Sequence, residues 1–408
     1  MRSTFCSMIV ALASGVIAAP LDSTAASPAS FVGSPAEYLK GFKNPTISSS
    51  EGGHAICLEG LVDITASAEN VRLNLTEPAN QMELTNFLVE GVATNSTIRK
   101  QIVAGKATVS GTWSIHSRLC FPSATSIINA TTVQFLIHGL GADTRYWDNA
   151  PGYSFVDYAA QQGYTTFSYD RLGSGLSDHP DPINVVQQFL HIEIAHELIQ
   201  LLRTGGFAGQ SFKHVINVGH SAGSVLMNGL AIKYPKDMDA AVLTGYTANL
   251  NGQEAGFAGL DLTIANLATP TRFAGISNGY LTAPVIQGPQ WAFFRSPGYD
   301  PALLNLLWET KGTITLGEYI TSNSVIGVAT NFTGPIDAVS GEYDLLNCAG
   351  NCYLPRNWVA GLKEDLFPNA SNGSDWYVGP GSGHFLTYHY AAANATAHIQ
   401  DFIRKNGF

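Results

Sequence analysis

The sequence predicts an α/β architecture: a mostly parallel sheet with helices on both faces, an insertion that caps it, and a β-rich extension before it. Three observations carry this. From residue 131 onward, short apolar runs alternate with longer stretches whose apolar residues recur at helical spacing. Residues 249–331 break that alternation and are rich in glycine, proline and aromatics. Residues 51–122 instead show Thr, Val and Ile alternating with polar residues, the pattern of antiparallel strands.

The chain has 408 residues, 45% hydrophobic and only 13% charged, enough to bury a large core. Its formal charge of −10 argues against nucleic acid and anionic membrane surfaces as main partners. The N-terminus carries Arg2, an apolar run over residues 5–18, and Val16-Ile17-Ala18 before Ala19-Pro20. That pattern predicts a secretory signal peptide over residues 1–18, too short to span a membrane. No later run approaches the ~20 apolar residues of a transmembrane helix. The expected location is extracellular. Cys6 falls in the signal peptide, which leaves Cys57, Cys120, Cys348 and Cys352, an even number. Sequons at Asn74, Asn95, Asn129, Asn331, Asn369, Asn372 and Asn394 fit a glycosylated, secreted protein.

Residues 19–50 read as a leader, partly disordered because of their Ser, Ala and Pro content. Residues 51–130 read as the β-rich extension joining the main sheet, with short strands at Leu61-Val62-Asp63-Ile64, Val71-Arg72-Leu73-Asn74-Leu75, Leu84-Thr85-Asn86-Phe87-Leu88-Val89 and residues 107–115. Cys57 and Cys120 bracket this segment, and a Cys57–Cys120 bridge would tie its ends together. The first part of the core, residues 131–248, holds strands at 133–137, 165–169, 214–218 and 240–245, with a helix over 184–203. Residues 249–331 read as a cap with no clear buried strand. The second part, residues 332–408, holds strands at 336–341 and 375–378, a short helix over 358–366 and a closing helix over 389–404.

Within that plan, Gly219-His220-Ser221-Ala222-Gly223 lies between a buried strand and a helix. Strand, G-x-S-x-G, helix is the setting of a nucleophile elbow, a turn so tight that the flanking residues must be small. A second match, Gly275-Ile276-Ser277-Asn278-Gly279, has no strand before it and falls in the cap. A serine hydroxyl needs a base, and the base needs an acid to set its tautomer. Functional groups gather at the carboxyl ends of parallel strands. The acid expected there is Asp344, with Asp337 and Glu342 as local competitors. The base expected there is His384, in the Gly-rich loop after the last strand. Leu140 and Ala222 are expected to offer backbone N–H groups to an oxyanion.

These residues resemble the α/β-hydrolase superfamily from about residue 131 to 408. The resemblance rests on His138-Gly139, residues 170–177 (Asp-Arg-Leu-Gly-Ser-Gly-Leu-Ser), the elbow at Ser221, Asp344 and Gly383-His384-Phe385. With the signal peptide and sequons, the chain is similar to secreted hydrolases of filamentous fungi; no subfamily is assigned. The resemblance implies the α/β-hydrolase fold and acyl-transfer chemistry. The 170–177 loop is structural in such proteins. Relatives acting on epoxides or haloalkanes carry an aspartate at the elbow, so Ser221 implies esters, lactones, thioesters or amides. Ser224 stands where prolyl peptidase relatives carry a glycine, which disfavours peptidase activity. Cys348 and Cys352 are expected to form a structural disulfide near the acid.

The reading is a secreted serine hydrolase of carboxylic esters or lactones with a mostly apolar small-molecule substrate. No metal or organic cofactor is expected. Two alternatives stand beside it: a catalytically silent binding protein on the same fold, and an acyltransferase or cyclase using the same three residues.

Overall fold

The computed structural model describes residues 35–93, 95–123 and 131–408. The signal peptide, the start of the leader and Asn129 lie outside the described residues. Among the described residues, nine strands form one sheet in the order β1-β2-β3-β5-β4-β6-β7-β11-β12. β1 (Lys43–Ser49), β2 (Ala55–Leu73) and β3 (Val103–Pro122) are antiparallel, and β3 pairs antiparallel with β5 (Thr165–Tyr169). β4 (Thr132–Ile137), β5, β6 (His214–His220), β7 (Ala240–Thr244), β11 (Ile336–Gly341) and β12 (Asp375–Gly379) are parallel.

The inner strands are buried on both faces, which is why they read as continuous apolar runs. Alternate residues of β4 go to opposite sides, as the two-residue period of a strand requires. Val133, Phe135 and Ile137 join one cluster with Leu190, Ile194 and Leu198 of the helix Gln188–Thr204 and Leu226 and Leu230 of the helix Ala222–Lys233. Leu136, with Ile216 and Val218 of β6, joins a second cluster with Phe155 and Val156 of the helix Phe155–Gln161 and Ile399 and Phe402 of the helix Ala392–Lys405.

Residues 51–122 form a longer and simpler object than several short strands. β2 and β3 are one hairpin ladder running from Ala55↔Pro122 to Leu73↔Val103. Cys57 sits directly opposite Cys120 in that ladder and is bonded to it. Strand structure begins at Lys43, inside the stretch read as leader. The 84–89 run is not a strand but part of the helix Gln81–Val92. Asn80 caps that helix by accepting from Glu83 N, and Glu83 returns a carboxylate oxygen to Ala79 N at 2.9 Å. Leu84, Phe87 and Leu88, three and four residues apart, turn to the core. The same letters alternate well enough to mimic a strand; the Asn80-to-Glu83 cap decides the matter.

Three other boundaries shift for local reasons. The long helix starts at Gln188 because the Gln187 side chain is spent on the sheet, bonding Val71 N at 3.0 Å and Val71 O at 2.8 Å. The helix expected over 358–366 is only Leu362–Leu366. His389 precedes the closing helix, which begins at Ala392.

The cap holds the helices Gln253–Leu260, Gln287–Phe293, Pro301–Thr310 and Leu316–Thr321. It also holds a small antiparallel sheet of β8 (Thr263–Ile264), β9 (Tyr280–Thr282) and β10 (Ile314–Thr315), strands too short to announce themselves by periodicity. The excursion between β2 and β3 grips this cap. Gln81 accepts from Ile264 N at 2.9 Å, Glu77 accepts from Gly279 N at 2.7 Å, and Asn278 donates to Pro78 O at 2.9 Å. Asn278 and Gly279 belong to the second G-x-S-x-G match, which is therefore a docking loop.

Candidate active site

Ser221 stands at the turn between β6 and the helix Ala222–Lys233 with φ 54 and ψ −116, a conformation a side-chain-bearing residue adopts only under constraint. Its flanks show why the turn demands glycine. A Cβ at Gly223 would lie 2.1 Å from Ile137 O, and one at Gly219 would lie 2.4 Å from the Met227 sulfur. The Ser221 N–H is held by Thr244 O at 2.9 Å.

The structure brings the three expected residues together. His384 Nε2 is 2.8 Å from Ser221 Oγ, and His384 Nδ1 is 2.8 Å from Asp344 Oδ2. Asp344 follows β11 and caps the helix Leu345–Cys348 through Asn347 N at 3.0 Å; Ser340 donates to its Oδ2 at 3.0 Å. Burial alone would raise the Asp344 carboxyl. The charge and hydrogen bond of His384, the Asn347 N–H and the Ser340 hydroxyl outweigh it and hold the group below the usual carboxylate range. A carboxylate can only accept, so Nδ1 of His384 carries a proton and Nε2 is left to accept from the Ser221 hydroxyl. Neither competitor takes this place. Asp337 faces His398 at 3.0 Å, and Glu342 accepts from Gly381 N at 2.9 Å.

Leu140 and Ala222 line the same pocket as Ser221. No protein acceptor engages either backbone N–H among the described residues. Gly139 lies against Ser221 and His220, with no room for a larger residue to pass unfelt. Cys348 and Cys352 are disulfide-bonded and close the loop after Asp344, whose chain is also tied by Cys352 N to Glu342 O at 2.9 Å.

Several residues around this group have roles that the sequence reading did not assign. His138 donates from Nδ1 to Gly139 O at 2.8 Å and accepts Arg171 N on Nε2 at 3.0 Å, fixing the Leu140 loop. Burial first, and the Arg171 charge second, depress its pKa to about 3, so it stays neutral. Arg171 also reaches Gly139 O at 3.2 Å and pairs with Glu318 of the cap at 2.5 Å, both side chains fully buried. His389 accepts two backbone N–H groups on Nε2, Gly383 and Arg295, each at 3.0 Å, and donates from Nδ1 to Phe385 O at 2.8 Å. Phe293 stacks on Phe385 with centroids 4.2 Å apart. These contacts pin the His384 loop to the cap. His220 packs between Tyr146 and His384 and hydrogen-bonds Thr244 Oγ1 at 3.0 Å. Burial first, and then the neighbouring His384 and His138 imidazoles, hold its pKa well below that of a free imidazole.

The pocket above Ser221 is mostly apolar, walled by Val225, Phe257, Leu260, Phe293, Ile314, Leu346 and Phe385, and its lining also includes Gln253, Ser322, Asn323 and Asn347. The Asn347 Oδ1 is buried with no partner among the described residues.

This sheet order, elbow and crossover pattern are those of the α/β-hydrolase fold, and residues 135–263 match the family model described by that name. The chain therefore has the α/β-hydrolase fold. No curated protein matches it by sequence. Similar solved structures include an esterase from Thermogutta terrifontis with malate bound, at 14% identity, covering 72% of this chain and 95% of that one with a TM-score of 0.48. A monoacylglycerol lipase from Paleococcus ferrophilus is 14% identical, covers 67% and 95%, and has a TM-score of 0.46. A soluble variant of monoglyceride lipase from Saccharomyces cerevisiae is 13% identical, covers 72% and 92%, and has a TM-score of 0.46. Likeness at this level assigns no substrate.

Proposed function

We propose that this protein is a serine hydrolase of carboxylic esters or lactones with a mostly apolar substrate. The observation that carries the reading is the unbroken hydrogen-bonded line from Asp344 through His384 to a strained, pocket-facing Ser221. In this reading Nε2 of His384 takes the Ser221 proton as Oγ attacks the carbonyl carbon. The Leu140 and Ala222 N–H groups stabilise the resulting oxyanion. His384 then gives its proton to the departing alkoxide, leaving an acyl-enzyme. Water, deprotonated by the same nitrogen, releases the acid and regenerates Ser221. The expected result is that Ser221→Ala abolishes turnover of p-nitrophenyl esters and labelling by a fluorophosphonate probe. Undiminished turnover in that variant would sink the assignment, and failure of the wild type to label would favour the silent binding protein.

We also propose that the protein is secreted and glycosylated. Support comes from the two disulfides and from the exposure of every sequon asparagine among the described residues: Asn74, Asn95, Asn331, Asn369, Asn372 and Asn394. Protein recovered from the medium of a secreting host should lose mass on endoglycosidase treatment; an unchanged mass would refute the glycan reading.

A further inference from the structure

Beside the Ser221 pocket lies a second apolar recess, bounded by Gly141, Leu262, Ala283, Leu307 and Lys311. The two share Leu140, Leu260, Phe293 and Ile314 as a common wall. Lys311 is the one charged side chain in the lining of this recess. It is 7% exposed, donates to Ala283 O at 2.9 Å and lies 3.1 Å from the centre of the Trp308 ring. A carbonyl and a ring face account for two of the three donors of an ammonium. No carboxylate pairs with it among the described residues.

A lysine just past a helix often serves the free carbonyls of the last turn, and Lys311 follows the helix Pro301–Thr310. Here the last two of those carbonyls are taken. Arg272 donates to Glu309 O and to Thr310 O, the latter at 2.9 Å, and Arg145 donates to Thr310 O at 3.2 Å. Arg145 is paired with Asp143, whereas the hydrogen-bond partners of Arg272 among the described residues are backbone carbonyls, and its charge adds to the positive field at Lys311. The Glu309 side chain is exposed to solvent. Burial first, then the Arg272 charge, bring the Lys311 ammonium down to about 8, so at neutral pH it is still mostly charged. A buried charge without a counter-charge is costly, and a bound anion relieves it.

We propose that Lys311 is the anion-recognising end of the substrate site: the ester taken up under the cap carries a carboxylate at the end of an apolar tail that passes Leu140 and Phe293. This inference rests on the ester-hydrolase reading and narrows its substrate class to hemiesters of dicarboxylic acids and their like.

The test compares mono-p-nitrophenyl adipate with p-nitrophenyl hexanoate, the same chain with and without the terminal carboxylate. Wild type should favour the adipate hemiester in kcat/KM by about tenfold or more, the scale of a charge-assisted hydrogen bond. Lys311→Met should collapse that ratio by roughly 10–100-fold, chiefly through KM, and Lys311→Arg should retain part of it. The ratio cancels any loss common to both substrates. A wild-type ratio near one, or equal ratios in wild type and Lys311→Met, overturns the proposal. Calorimetry with monoethyl adipate and ethyl hexanoate on the Ser221→Ala protein, with Lys311 intact, reads recognition without turnover; equal affinities also overturn it. Turnover of the neutral ester judges the hydrolase reading separately.

Discussion

In the proposed mechanism, Asp344, His384 and Ser221 act as one unit only while a single proton sits on Nδ1 of His384. Asp344→Asn keeps the shape of the acid but removes the charge that holds that tautomer. We expect kcat on p-nitrophenyl esters to fall by on the order of 10³–10⁴-fold, with the fold intact by circular dichroism. A loss under tenfold would show that Asp344 is not the orienting acid. Ser340 and Asn347 already bond both carboxylate oxygens in the folded state. His389 shows the opposite use of an imidazole. Its Nε2 must stay unprotonated to accept the Gly383 and Arg295 N–H groups, and its pKa is depressed to about 4, by burial before anything else.

At the scale of elements, the cap is joined to the core by a buried charge pair. Arg171 belongs to the loop after β5, Glu318 to the cap helix Leu316–Thr321, and Arg171 also holds the carbonyl beside Leu140. Glu318→Ala would strand a buried guanidinium, so urea denaturation should show a loss of about 3–5 kcal/mol. Activity should fall with it, because the Leu140 loop loses its support; a variant as stable as wild type would refute the role given to the pair. The elbow offers a sharper case. A methyl at Gly223 would meet Ile137 O at 2.1 Å, so Gly223→Ala should cost about 1–3 kcal/mol or more by the same assay. What was legible in the sequence follows the same division. Ser221, Asp344 and His384 sit at strand ends in chain order, and order along a parallel sheet is a property of one dimension. Glu318 reaches Arg171 across 147 residues, and His389 serves a backbone it does not resemble in sequence. Such partners exist only once the cap has closed on the core. The helix Gln81–Val92 was hidden for another reason: its apolar residues fit both periods, and only the cap at Asn80 separates them.

For the molecule as a whole, buried neutral histidines contribute to the response to acid, His138 and His389 among them. The folded pKa values of His138 and His389, about 3 and about 4, lie below the 6.5 of a free imidazole. The unfolded chain therefore binds more protons below pH 6.5, and stability present above that value is lost as pH falls toward the folded values. Between pH 7 and 5 the loss should be on the order of 2 kcal/mol for each group, read from urea midpoints. His389→Gln should flatten the slope; an unchanged slope would mean that His389 is not the titrating group. The Cys57–Cys120 bond acts at the same scale. It closes a loop of 63 residues, so replacing both cysteines with serine should remove roughly 3–4 kcal/mol. Equal stability of the reduced and oxidised protein would refute that.

The hairpin of β2 and β3 also sets a timetable. Its ladder and its disulfide need nothing beyond Pro122, so both can be in place while the ribosome is still far from the elbow. The helix at its far end must wait: Ile264, the partner of Gln81, emerges 183 residues after it. Until then Leu84 and its neighbours have no cap to rest on, and a nascent chain paused before residue 264 would present that face to a chaperone.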